Sequence, residues 1–155
     1  MKTFLQRALV ELAVPIACMW LRREEAMILG RGAALSDAQA ADARRIGIAR
    51  VDRIRVLAVD EVPPDLHPAL RFLARTFGMT FAGTIGMALG HGVFLSRQYA
   101  HDRSLLLHEL AHVAQYERLG VRRFMRQYLH ECLSLGYPLG ELEAEARDLT
   151  DKLAA

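Results

Sequence analysis

Two histidines stand four residues apart, His108 and His112, and a glutamate, Glu109, directly follows the first. On a helix, positions i and i+4 share one face about one 5.4 Å turn apart. Two imidazoles so placed reach a single tetrahedral Zn²⁺ at about 2.0–2.1 Å. Glu109 is turned about 100° from His108, beside such an ion rather than at it, which suits a base for an attacking water. Shuffling a chain with six histidines produces this pattern in about one or two arrangements per hundred. Leu105-Leu106-Leu107 before the motif and Val113-Ala114 after it make the helix apolar on several faces, hence buried. Two histidines and an acid on a buried helix need a partner, because unpaired buried polar groups cost a few kcal/mol each. A metal ion supplies one.

A catalytic zinc takes three protein ligands and leaves one place for water. The last stretch of the chain offers Glu141, Glu143 and Glu145 for the third. Glu141 and Glu145 fall on one helix face and Glu143 points away, so only one register can serve. Spacing alone does not choose between them, and the alternative for all three is an ordinary solvated acidic face.

The run His108-Glu109-Leu110-Ala111-His112-Val113-Ala114-Gln115-Tyr116-Glu117-Arg118-Leu119-Gly120, with Phe124, Tyr128-Leu129, Gly136-Tyr137 and Leu142-Glu143-Ala144-Glu145-Ala146, resembles small bacterial zincin-like proteins related to the glutamate zincins. The resemblance covers mainly residues 80–150. It implies an α+β zincin-like fold and a zinc-dependent peptidase with peptide or protein substrates. It further implies His108, His112 and Glu143 as metal ligands, with Glu141 as the competing register, and Glu109 as the catalytic base. In such proteins the strand before the active helix is an exposed edge that pairs with extended substrate. Gly90, His91, Gly92 and Val93 occupy that place here; the competing expectation is an internal strand with glycines for packing. A further donor for the developing oxyanion is expected among Tyr116, Tyr128, Tyr137 and His130, with Tyr137 and His130 preferred. The sequence departs from the pattern at one point. Many relatives carry an Asp four residues after the ligand glutamate, to hold a ligand histidine; here that place is Arg147, and Asp148 is one step off.

The elements that must position these groups are also legible. Ser36-Asp37 caps a helix over residues 38–46 that Gly47 ends. Residues 53–59 alternate charged and β-branched types and read as a strand. His67-Pro68 opens a helix closed by Gly78. Residues 79–96 are glycine-punctuated and β-prone, which suggests two short strands, the second over 90–95. Helices follow at about 103–118, 121–135 and 141–153, separated by Gly120 and Gly136-Tyr137-Pro138. The expectation is one predominantly helical α+β domain over residues 1–155, with a small sheet preceding the His-containing helix.

The chain has 155 residues, 52% apolar and 25% charged, enough for a packed core. Twenty basic against eighteen acidic residues leave no basic field, so no nucleic-acid partner is expected. Cys18 and Cys132 form neither a disulfide framework nor a cysteine metal site, and a cytoplasmic location is compatible. Residues 1–30 are strongly apolar, but their charge-free stretch, 12–21, is half the length a spanning helix needs. They read as a helix capping the domain, with peripheral membrane contact or export as alternatives. Beside the peptidase, two readings from other classes stand: a non-catalytic zinc-binding protein, and a membrane-surface module whose working part is this first helix.

Overall fold

A computed structural model of the chain describes residues 2–64 and 66–154. It opens with a 30-residue helix, α1 (Lys2–Arg31). Next come β1 (Ala33–Ala34), α2 (Asp37–Ile46), β2 (Arg55–Val59) and α3 (Pro68–Thr76). The hairpin β3 (Gly86–Leu89) and β4 (Gly92–Ser96) follows, and α4 (Arg103–Leu119), α5 (Val121–Leu135) and α6 (Glu141–Ala154) complete the chain. This is an α+β architecture, mostly helical, with one small mixed sheet ahead of α4.

Local chemistry explains most boundaries. Ser36 and Gln39 form a reciprocal capping box: each side chain accepts a hydrogen bond from the other's backbone N–H, at 3.3 and 2.9 Å. Gly47 closes α2 at φ 101°, a left-handed geometry that glycine adopts without steric cost. His67 caps α3 and Pro68 takes its first position, where a missing N–H costs nothing. Asp102 caps α4 by accepting from the Leu105 N–H at 3.1 Å.

The sheet order is β1-β2-β4-β3. β2 and β4 run parallel, the β3–β4 hairpin is antiparallel, and β1 pairs antiparallel with β2. β4 is therefore internal, and residues 92–95 are all buried. This corrects the expectation that Gly90, His91, Gly92 and Val93 form an exposed substrate-pairing edge. A Cβ at Gly92 would sit 2.9 Å from Ile28 of α1, so the glycine admits a helix against the strand. The open edge beside α4 belongs to β3. β1 had no signal in the sequence; two alanines become a strand only because β2 lies alongside.

One buried core joins α1, the sheet and the last three helices, through Leu21, Ile28, Ile54, Phe94, Leu95, Leu110 and Leu142 among others. α4 runs through its middle: Leu106, Leu107, Leu110, Ala111 and Val113 are all buried. α4 is thus locked by packing on several sides, and α5 and α6 dock around it.

Candidate metal centre

His108 and His112 leave α4 on one face, with their rings edge to face and centroids 4.8 Å apart. α6 brings Glu143 against them. Its Oε2 lies 3.3 Å from His108 Nε2 and its Oε1 3.6 Å from His112 Nε2. One ligand atom from each of His108, His112 and Glu143 falls within 4.8 Å of the other two. Glu143 is buried, whereas Glu141, two residues earlier and on the far side of the helix, is exposed. Of the two registers, the fold brings Glu143 to the histidines and turns Glu141 to solvent.

A supporting layer holds each donor. His112 Nδ1 donates to Gln115 Oε1 at 2.8 Å, and Gln115 Nε2 donates to the Leu142 carbonyl at 2.9 Å and to Glu145 Oε2 at 3.1 Å. Because the amide N–H₂ already has two acceptors, its oxygen must face the imidazole. That fixes a proton on Nδ1 and turns Nε2 to Glu143, where it carries a proton in the charged imidazolium and offers its lone pair to a metal ion once that proton is lost. Arg118 clamps Glu145 in turn, with a contact of 2.8 Å. The Tyr128 hydroxyl donates to Glu143 Oε1 at 3.2 Å. Glu131 of α5 accepts from the Leu142 N–H at 3.1 Å and so caps the first turn of α6, just where Glu143 starts.

Gln115 answers the missing aspartate. Arg147 is exposed and donates to the Pro138 carbonyl at 3.1 Å, and Asp148 is exposed as well. Asp148, one step off the aspartate's place, does not take it; an amide from α4 itself lies against His112. Gln115 and Glu131 were not foreseen as site residues. Gln115 three residues after His112 was a readable signal, since i and i+3 neighbours touch on a helix. Glu131 had none, as its role depends on how α5 and α6 pack.

Glu109 is 4% exposed and lies against β3. Burial pushes its carboxyl above the usual carboxylate range; the His112 and His108 charges and a hydrogen bond from the Ala88 N–H oppose the shift, and Glu143 adds to it. For Glu143 burial again works upward, but the hydrogen bonds and charges of His108 and His112 outweigh it and hold the carboxyl far below its usual range. Two neighbouring carboxyls are thus pushed apart, one toward a proton acceptor and one toward a permanent anion. Gly86 of β3 makes room for the first: a Cβ there would lie 2.5 Å from Glu109 Oε1.

The hydrogen bond from the Ser96 N–H to the Ile85 carbonyl (2.7 Å) sets the phase of the hairpin. With Gly86 opposite Leu95 and Ala88 opposite Val93, the backbone groups of Gly86 and Ala88 face the open edge. A cleft between this edge and the His108-His112-Glu143 group is lined by Trp20, Phe81, Met87, Phe124 and Tyr137, along with that group and Glu109.

Tyr137 lies on this cleft. Burial, and then the charges of Glu143 and Glu109, raise its hydroxyl to about 12, so it stays protonated and able to donate near neutral pH. His130 does not reach the cleft. It is exposed on α5, its Nδ1 lies 3.5 Å from Ser134 Oγ, and its expectation as an oxyanion donor is corrected. Tyr116 is buried, stacked on Phe124 at 3.8 Å. His91 is neither a surface residue nor a ligand. It is 6% exposed, with Nε2 on Glu117 at 2.9 Å and Nδ1 3.6 Å from Glu25, and its backbone N–H on Glu25 at 2.8 Å.

The donor set fits a zinc ion: two imidazoles and a carboxylate, with a lone pair aimed by a hydrogen-bonded second layer and no fourth donor in the group among the described residues. No family model matches the chain, and no curated protein or solved structure is significantly similar to it.

Proposed function

We propose that the protein is a zinc-dependent metallopeptidase of the glutamate-zincin type. The observation that carries this reading is the convergence of His108, His112 and Glu143 within 4.8 Å, with Glu109 buried beside them under an open strand edge. Structural zinc sites are almost always closed by four protein ligands, whereas catalytic ones keep a place for water. A group of three, facing a cleft, favours catalysis. A zinc ion bound there supplies a water of lowered pKa, near 7, and a Lewis acid for the scissile carbonyl.

The chain's own residues do the rest. Glu109, raised by burial, takes the proton of the attacking water and later delivers it to the leaving amine. Gly86 and the Ala88 carbonyl offer backbone partners to an extended peptide, which adds to the sheet next to the base, while the Ala88 N–H holds Glu109. The protonated Tyr137 hydroxyl donates to the oxyanion as charge develops on it. Gln115 keeps His112 in its ligating tautomer, and Tyr128 holds Glu143 in place.

Metal content by mass spectrometry, with hydrolysis of a peptide library, tests the reading. Glu143→Ala is expected to lose metal and activity together, and Glu141→Ala to keep both. Glu109→Gln is expected to keep its metal and lose hydrolysis. Full activity in Glu109→Gln rejects the assigned base, and a metal-replete but inactive wild type favours the non-catalytic zinc protein.

A further inference from the structure

α1 is apolar on two opposite faces. Val10, Ala13, Val14, Ala17 and Leu21 are buried; at about 100° per residue they cluster on one side of the helix. Phe4, Leu5, Leu12, Ile16 and Met19 fall on the opposite side, and they are exposed, from 45% at Ile16 to 79% at Phe4. This second stripe extends about 22 Å along the axis, and no charged residue interrupts it. Arg7 and Glu11 lie off its edge, and Glu11 is engaged by Arg126. At its C-terminal end Arg22 and Arg23 emerge on the same face as Leu12 and Met19, both exposed. Glu24 and Glu25 project to other sides of the helix.

From this arrangement we infer that α1 docks the protein on an anionic membrane surface, lying in the plane of the interface with its outer stripe in the acyl boundary and Arg22 and Arg23 among the headgroups. Single exposed apolar residues are ordinary, but a continuous stripe of this length on one helix marks a contact surface. The arginine pair at its end points to lipid: anionic headgroups accept two cations, whereas a second copy of this stripe, in either orientation, offers them no acid. α1 is long and apolar enough to cross a membrane by length and composition. Crossing would strip Val10, Val14 and Leu21 from the core and carry Arg7 and Glu11 into hydrocarbon, so the helix lies on the bilayer rather than through it. On the peptidase reading, docking also brings the cleft close to lipid, since Trp20, next to Met19, lines it; the substrates are then peptide segments at the membrane surface.

The test is co-sedimentation of the full chain with vesicles of phosphatidylcholine alone or mixed with phosphatidylglycerol, which needs no hydrolysis and so fails or succeeds apart from the zinc reading. The wild type is expected to bind the mixed vesicles more tightly and to be released by alkaline carbonate. Leu12→Asp with Met19→Asp is expected to weaken binding to both vesicles at least about 100-fold, since each buried side chain is worth roughly tenfold or more. Arg22→Gln with Arg23→Gln should weaken binding to the mixed vesicles about 25-fold, at about fivefold per arginine, and leave the neutral vesicles unchanged. Unchanged circular dichroism checks that the variants are folded. The arginine variant changes two exposed side chains and remains decisive if the acidic one misfolds. A wild type that ignores both vesicles overturns the inference. So does equal binding by either variant, resistance to carbonate, or a solution dimer that covers the stripe.

Discussion

Replacing His91 with glutamine breaks a three-element clamp and shifts the pH dependence of stability in a defined direction. His91 sits in the β3–β4 turn between Glu25 of α1 and Glu117 of α4, with Nε2–Oε1 2.9 Å to Glu117 and Nδ1–Oε1 3.6 Å to Glu25. All three side chains are less than one fifth exposed. Glu25 contributes most to raising the imidazole above its ordinary 6.5; burial opposes this, and Glu117 adds to the rise. Both carboxyls end below their ordinary 4.5: burial pushes each upward, but the hydrogen bonds of His91 and of nearby backbone outweigh it. Removing one member of a buried pair typically costs about 3–5 kcal/mol. Here Glu117 keeps the Ala49 and Arg50 N–H groups, at 2.7 and 3.0 Å, and Glu25 keeps the N–H of residue 91 at 2.8 Å. The expected loss is therefore smaller, about 2 kcal/mol near pH 5.5. The raised histidine contributes fully below 6.5 and loses its contribution as pH climbs through its folded value. The depressed carboxyls contribute above 4.5 and lose theirs as pH falls through their folded values. The clamp is strongest between those two limits. Urea unfolding followed by circular dichroism, wild type against His91→Gln, should show the largest difference near pH 5.5, shrinking to about 1 kcal/mol or less by pH 9. A difference that stays constant or grows toward pH 9 refutes the charged clamp.

The other predictions rest on the proposed zinc-peptidase function. Gly86→Ala places a Cβ 2.5 Å from Glu109 Oε1, so the base must move; kcat should fall about tenfold to a hundredfold while metal content holds, and an unchanged kcat would show the carboxylate is not positioned by β3. Gln115→Ala frees His112 Nδ1 and should weaken zinc affinity about 10–100-fold in a competition titration; unchanged affinity would show that the amide does not hold the imidazole. Glu131→Ala removes the acceptor at the start of α6, and should cost about 1 kcal/mol in unfolding and loosen metal binding alongside; stability lost with metal affinity intact would separate α6 docking from ligand placement.

Most of the helices were readable because their signals are local. The Ser36 cap, Gly47, His67-Pro68, Gly120 and Gly136 each act within a few residues, and the observed boundaries lie close to the expected ones. The strands were readable in kind but not in order. β4 carries the more β-prone residues and lies nearest the motif in sequence, which suggested an edge; a parallel partner 37 residues upstream, Arg55 opposite Gly92, encloses it instead. His91, read from the sequence as part of the second strand, lies in the turn before β4 and becomes a buried clamp because acids from two distant helices meet it.

The sequence alone determined that His108 and His112 share a helix face with Glu109 set beside them, because four residues on an α-helix is a fixed rotation and a fixed rise. It also determined where α4, α5 and α6 begin and end. Which glutamate of α6 reaches the histidines, which strand edge stands open and which amide holds His112 were decided only by tertiary packing. Each depends on how far and how rotated one element lies against another, and that is set by Leu110 and Leu142 meeting in a common core rather than by any residue's neighbours in the chain.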